Sequence, residues 1–293
     1  MIRIATRSSA LAIAQARQVV DLLGEAELVQ VSSDGEVGDK ARFVRGVERA
    51  LLAGEAEIGV HSAKDLPAEM PEGLAIAAVP KREDPADVWV GVGGSLVEVG
   101  EGARVGTASL RRRAQLLAAR PDLEVGELHG NVDTRLRKLA EGEHDAIVLA
   151  AAGLRRLGRE VEASFALPGE LMTPAAGQGA LVLQARVGDE EALDAAAAIG
   201  DEAALVELTA ERAAVALLEA TCATPIGVHA TADGESISIE AFVGLPDGSE
   251  WIRDRIEADA DAPAAAGALL AERLLGAGAG EILERAESWD RRD

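Results

Sequence analysis

The sequence predicts an α/β protein of three domains: two doubly wound α/β domains flanking a cleft, and a small C-terminal α+β domain with an antiparallel sheet. Three observations carry this. Short β-rich runs alternate with amphipathic helical runs twice over, the signature of strand-helix-strand units. A Gly-rich turn at Gly177-Gln178-Gly179 leads into a further apolar run that could rejoin the first sheet. Beyond an alanine-rich helical stretch the alternation gives way to neighbouring strands, which is how an antiparallel meander reads. With 293 residues, 48% of them hydrophobic, the chain has material for several cores.

In the first domain, "IRIA" (2–5) is a strand, Ser9 to Leu23 a helix, "ELVQV" (27–31) a strand, "ARFVRGVERALLAG" a helix and "EIGV" (57–60) a strand. Gly54 suits the end of the second helix. After "KREDPADVWV" the alternation restarts: "ARVGT", a helix from Ser109, "LEVGEL", a helix from Asn131, and "DAIVLA" (145–150). "ALVLQA" follows the Gly-rich turn, and a helical segment over about 190–218 leads to "EATCATPIG", the strands "SISIEAFVG" and "EWIRDRIEA", and two terminal helices. The domain bounds expected are 1–80 with 180–197, then 86–173, then 202–293.

Composition narrows the function. Fifty-one acidic residues against 29 basic ones give a net charge of −22. Only Lys40, Lys64, Lys81 and Lys138 are lysines, so nearly every positive charge is an arginine. Scarce lysine, abundant Asp and Glu and no tyrosine describe a halophilic-type acidic surface, whose self-repulsion salt would screen. Nucleic acid and anionic membranes would be repelled by it. No run approaches the roughly 20 apolar residues that span a bilayer, and the N-terminus lacks a signal-peptide core, so a cytoplasmic protein is expected. The one cysteine, Cys222, excludes an internal disulfide, and four scattered histidines leave no metal-ligand spacing.

Against that acidity, clustered arginines need a reason. "SLRRRAQ" puts Arg111 and Arg112 in the first turn of a helix that Thr107 or Ser109 would cap, the unfavourable end for a cation. A bound anion would remove the conflict. "ATRSSA" repeats the idea, with Arg7 beside Ser8 and Ser9, and "TRLRKL" and "GLRRLG" add Arg135 and Arg156. Arginine suits bidentate carboxylate recognition, and strand C-terminal edges are where α/β sheets bind ligands. The bland alternative is pairing with surface carboxylates, to which Arg113 and Arg137 are assigned. "GVHSAKDLP" places His61, Ser62, Lys64 and Asp65 at another such edge. Asp65 there could act as an acid/base or stabilise a cation, or could merely cap a turn before Pro67.

The segments "RIATRSSALAIAQA", "VHSAKDLP", "REDPADVWV", "VGTASLRRRAQL", "GNVDTRLRKL", "DAIVLAAAGLRRLG", "PAAGQGAL" and "LEATCATPIG" closely resemble, in order, the porphobilinogen deaminase (hydroxymethylbilane synthase) family. The resemblance implies two α/β domains like those of type II solute-binding proteins. It implies a transferase of tetrapyrrole biosynthesis that joins four porphobilinogen units head to tail, releases ammonia at each step, and is primed by a dipyrromethane cofactor. By the same resemblance the cofactor is covalently attached at Cys222 through a thioether, and Asp65 is catalytic, stabilising the azafulvene-like cation formed as ammonia leaves. Ser62, Lys64, Thr107, Ser109, Arg111, Arg112 and Arg135 would hold cofactor carboxylates. Arg7, Ser9 and Arg156 would meet substrate, with Gln15 and Gln178 supporting the cleft, and Gly227 belongs to the cysteine loop. Porphobilinogen is the implied small-molecule partner, and a monomer is expected.

Two departures stand out. "HGN" puts His129 where the family commonly has a substrate-side arginine, which would make that contact pH-dependent. "SSDGEVGDKARFV" is shorter than the family's mobile active-site loop, with Lys40 and Phe43 matching its end. Two other readings compete: a non-catalytic anion-binding protein, and a cysteine hydrolase with His229 as base. A reactive, unmodified thiol would favour either over the deaminase.

Overall fold

The computed structural model describes residues 1–32, 42–67, 69–161, 163–220 and 224–289. The segment around 33–41 and Cys222 lie outside them, as do the side chains of Arg42 and Phe43.

The first unit opens β1 (Ile2–Arg7), α1 (Ala10–Leu23), β2 (Ala26–Val31), α2 (Arg42–Leu52) and β3 (Ile58–Ser62). Ser9 starts α1 by accepting a hydrogen bond from the Ala12 amide at 3.3 Å. Ala12, Ala16 and Val19 form the buried stripe of α1 at helical spacing. β1 pairs in parallel with β2 and β3. A 3-10 turn, Ala63–Asp65, follows β3 directly, and β4 (Leu74–Ala78) comes next. The run Leu181–Arg186 does rejoin this sheet, inserted antiparallel between β3 and β4.

The second unit holds β5 (Asp87–Gly91), β6 (Arg104–Gly106), α3 (Leu110–Ala119), β7 (Glu124–Gly126), α4 (Val132–Ala140), β8 (Ala146–Ala150), α5 (Ala151–Arg156) and β9 (Ser164–Ala166). The sheet order is β7-β6-β8-β5-β9. Ser109 caps α3 and Asn131 caps α4, each through its side-chain oxygen. β10 (Leu181–Arg186) then returns the chain to the first sheet, whose order is β2-β1-β3-β10-β4.

Neither sheet is wholly parallel. β10 runs antiparallel to β3 and β4, and β5 antiparallel to β8 and β9. Each is the strand by which the chain enters a sheet from the neighbouring unit. It arrives without a crossover helix of its own to carry it back to the starting edge, which parallel pairing requires.

The helical stretch before Cys222 is two helices, α6 (Glu190–Ala197) and α7 (Glu202–Leu217), parted at Gly200 because Asp201 caps the second, its carboxylate accepting from Ala204 N at 2.8 Å. β11 (Ile226–Asp233), β12 (Ser236–Gly244) and β13 (Trp251–Asp259) form the antiparallel meander, followed by α8 (Pro263–Gly276) and α9 (Ala279–Glu287). α7 ties this third unit to the first. Its Ala204 and Leu208 pack with Val44, Val79 and Val182, while Ala210 and Ala214 join the core of Val228, Ile239 and Leu270.

Candidate functional site

The ends of β1 and β3 bring Arg7 and the 3-10 turn together, with Arg7 Nη2 4.0 Å from Asp65 Oδ2. Asp65 is about one-third exposed, so its carboxylate is open to a ligand. Ser62 precedes the turn without a capping bond from its hydroxyl. Strand alternation turns its neighbour His61 the other way, into the first unit. There its Nε2 lies 2.9 Å from Gln184 Oε1, and burial pushes the imidazole down to about 4, so His61 is neutral and does not face the cleft.

Lys64 is solvent-exposed yet stands between protein masses. That desolvation, and next the Arg112 guanidinium, push its ammonium down to about 8. Arg111 and Asp87 act on it too, which places the first unit's Lys64–Asp65 turn in the same field as α3 of the second unit. Thr107, buried at the end of β6, accepts at Oγ1 from Ser109 N at 3.2 Å and so shapes the entry to α3.

Arg111 and Arg112 are buried, at 4% and 5% exposed, and share one carboxylate. Arg111 Nη1 donates to Asp87 Oδ2 at 2.7 Å and to the Thr173 carbonyl at 2.8 Å. Arg112 donates to Asp87 Oδ1 through Nε at 3.0 Å and Nη2 at 2.7 Å, and through Nη1 to the Val148 carbonyl at 2.8 Å. Gln178 Nε2 adds a third donor to Asp87 Oδ1 at 3.0 Å. Burial alone would raise Asp87, but the two guanidinium groups hold it far below the ordinary carboxylate range. The first-turn arginines are therefore compensated from within the protein by a residue to which the sequence reading gave no role.

Compensation is incomplete. Arg135, on α4, donates through Nε to the Gly130 carbonyl at 2.8 Å and has no carboxylate partner among the described residues. Burial, then Arg112, push it down to about 10. Gln178, 1% exposed, keeps its Oε1 buried without a donor. Among the described residues, Lys64, Arg111, Arg112 and Arg135 thus have only the carboxylates of Asp87 and Asp65 to set against them, an excess of positive charge inside a strongly acidic chain. Such a site is suited to a polycarboxylate carrying N–H donors.

The chain crosses between the α/β units at about 79–86 and 173–180, and the Gly177-Gln178-Gly179 turn is where the crossings touch. Gly179 has φ +87° and a Cβ there would overlap the Glu83 carbonyl. Arg156 spans the same junction, donating through Nη2 to the Gly179 carbonyl at 2.7 Å and through Nε to Gln18 Oε1 at 3.2 Å. Gln15 is buried on α1.

Other expectations turn out differently. His129 is 66% exposed by side chain and sits 2.6 Å from Glu127 Oε2, a local pair at the rim. Of the two arginines assigned to surface carboxylates, Arg137 pairs with Glu141 one turn on, whereas Arg113 donates instead to the Val125 carbonyl and keeps its buried Nε without a partner among the described residues; Arg155 pairs with Glu83 and Asp84. His229 lies in β11, its Nδ1 3.3 Å from Glu211 Oε1. The sequence reading missed Glu211, which is fully buried and joins both crossing segments to β11 of the third unit. It accepts from Arg82 Nη1 at 2.8 Å, Gly177 N at 2.6 Å and Ala230 N at 2.8 Å. A signal existed: Leu208, Glu211 and Ala214 share one buried stripe of α7. For Asp87 it was a carboxylate opening the apolar strand "DVWV".

Residues 2–194 match the family model "Porphobilinogen deaminase, dipyromethane cofactor binding domain", and residues 205–276 match "Porphobilinogen deaminase, C-terminal domain". The chain is 43% identical to the porphobilinogen deaminase of Brevibacillus brevis, covering 96% of each chain. It is 44% identical to that of Pelotomaculum thermopropionicum over 100% of this chain and 99% of the relative. Among solved structures, the periplasmic aliphatic sulphonate binding protein SsuA of Escherichia coli aligns with a TM-score of 0.39 at 14% identity, over 73% of this chain and 69% of that one.

Proposed function

The chain belongs to the porphobilinogen deaminase family, and we propose that its reaction is carried out in the cleft between the Lys64–Asp65 turn and helix α3. The family reaction joins four porphobilinogen molecules head to tail with release of ammonia, giving the linear tetrapyrrole hydroxymethylbilane, and makes the chain a transferase of tetrapyrrole biosynthesis. What supports the placement is the excess of positive charge there: Lys64, Arg111, Arg112 and Arg135 against the carboxylates of Asp65 and Asp87. The dipyrromethane fits it: each pyrrole carries an acetate and a propionate for the cations, and its N–H groups match the orphan acceptor of Gln178.

Bound by a thioether at Cys222, the dipyrromethane supplies the primer to which new units are added. Lys64 and Arg135, with the guanidinium hydrogens of Arg111 and Arg112 that Asp87 leaves unused, hold carboxylates. Ser62, Thr107 and Ser109 contribute hydroxyls at the same edges. Asp65, its carboxylate partly exposed, would meet the pyrrole nitrogen and stabilise the cation that develops on porphobilinogen as the carbon–nitrogen bond to the departing ammonia breaks. Arg7, 4.0 Å away, fixes that carboxylate and meets substrate, as do Ser9 and Arg156. Gln15 supports the cleft wall. His129 reaches substrate only by leaving Glu127. For the domain bounds we take 1–80 with 180–197, 86–173 and 202–293, a division that the three separate sheets support. We place the chain in the cytoplasm as a monomer; among the described residues no helix is long and apolar enough to cross a membrane.

Intact-protein mass spectrometry tests this reading. Chain produced with porphobilinogen available is expected to exceed its sequence mass by one dipyrromethane and to resist thiol alkylation. A bare mass with an alkylatable Cys222 would overturn it.

A further inference from the structure

We propose that Arg253, on β13 of the third unit, is a positioning residue for the reaction: acting through Gln115, it sets where α3 and its arginines stand relative to the unit that bears the cofactor's anchor. The proposal rests on the reading above, in which the ligand is tethered at Cys222 while its carboxylates are received by α3.

A covalent tether and a set of carboxylate receptors on separate bodies cooperate only if the bodies keep a fixed distance. Helix α3 shows how that distance is held. Gln115 lies one turn beyond Arg111 on the same face and is 1% exposed. Its amide closes a two-way pair with the Thr173 peptide, accepting from Thr173 N at 2.8 Å and donating to the Thr173 carbonyl at 3.0 Å. Arg111 Nη1 donates to that same carbonyl at 2.8 Å. Thr173 therefore reads the position of α3 directly.

The third unit grips the same point. Arg253 Nη2 donates to Gln115 Oε1 at 3.2 Å, and Nη1 donates to the Glu170 carbonyl just upstream of Thr173. The guanidinium is itself fixed, lying over the ring of its cross-strand partner Phe242 at 5.6 Å. Thr173 Oγ1 donates to Glu240 on β12 at 3.0 Å, and Val228 N donates to the Pro174 carbonyl at 2.9 Å. Gly227, at the start of β11 and five residues past Cys222, lies so close that a Cβ would sit 2.5 Å from the Thr173 carbonyl oxygen. Backbone contacts of β11 and the Arg253–Gln115 bridge together join the end of the cysteine loop to the arginine helix. Arg253 is the member whose side chain reaches α3 itself, and its planar fork is what lets one residue hold Gln115 and Glu170 at once.

The test compares Arg253→Met, Arg253→Lys, Gln115→Leu and the Arg253→Met/Gln115→Leu double variant. Each is assayed for kcat, KM, thermal midpoint, and by mass spectrometry for bound dipyrromethane and partly elongated chains. Misplacement by about 1 Å can cost on the order of 10²-fold in rate, so Arg253→Met is expected to keep its cofactor and lose roughly 10- to 100-fold in kcat at an assay temperature well below its midpoint. Partly elongated enzyme should accumulate, Arg253→Lys should recover only part of the loss, and the double variant should be no slower than Gln115→Leu alone. Wild-type kcat in Arg253→Met, whether or not its midpoint falls, would overturn the proposal, as would additive losses in the double variant. Wild-type chain lacking the dipyrromethane mass would instead overturn the functional reading on which the proposal rests.

Discussion

Asp87→Asn is the most telling change to the charge balance of the cleft. The carboxylate is fully buried and takes four donors, three on Oδ1 from Arg112 and Gln178 and one on Oδ2 from Arg111. Asparagine keeps an acceptor at Oδ1 but turns an NH2 group towards Arg111, so a buried guanidinium loses the one carboxylate it has among the described residues and meets a donor in its place. Removing one partner of a buried ion pair costs about 3–5 kcal/mol. For a chain of this size that corresponds to a fall of roughly 6–20 °C in thermal midpoint. The pH dependence has a definite sign. A carboxyl held below its unfolded value contributes stability that is present above about pH 4 and is lost as pH falls through the folded value. Asp87→Asn should therefore lack that acid-side loss. The freed arginines should also be partly neutralised by a bound polycarboxylate, so cofactor-free chain should lose more than loaded chain. Scanning calorimetry of both forms from roughly pH 2 to pH 8 measures this. An unchanged midpoint in the cofactor-free variant would refute the claim that Asp87 compensates the helix-start arginines.

Asp65→Asn should keep the dipyrromethane mass and a near-wild-type midpoint while losing on the order of 10²- to 10³-fold in kcat, read by steady-state assay; wild-type turnover would remove Asp65 from the chemistry. Lys64, pushed down to about 8, loses its charge as pH rises through that value, so its hold on a cofactor carboxylate weakens and kcat should fall above about pH 8. Lys64→Arg should flatten the fall, and a profile identical to wild type would show that Lys64 does not hold a carboxylate. Glu211→Ala leaves Arg82 buried without its fully enclosed partner and should cost about 3–5 kcal/mol in urea denaturation, with wild-type stability the contrary result.

The sequence was informative wherever the physics is local. Strand and helix periods, and the caps Ser9, Ser109 and Asn131, depend on neighbours a few residues away, so most elements could be placed from the chain alone. The arginines at helix starts were also visible, because a cation beside free backbone amides is a local conflict. Those readings and the collinear motifs sufficed for the fold class, the family and a short set of candidate residues.

Only the tertiary structure decided how that charge is balanced. Arg111 and Arg112 meet Asp87 across 24 and 25 residues, Arg82 meets Glu211 across 129, and Gln115 meets Arg253 across 138. His129 faces Glu127 and His61 turns inward to Gln184. A pair potential between distant residues leaves no periodic trace in the chain, and burial, which makes each pair matter, arises only when three units close on one another. The residue types in the cleft were therefore determined by sequence, while which of them remain free to hold a ligand was decided by the packing of Asp87, Glu211 and Thr173 at the junction.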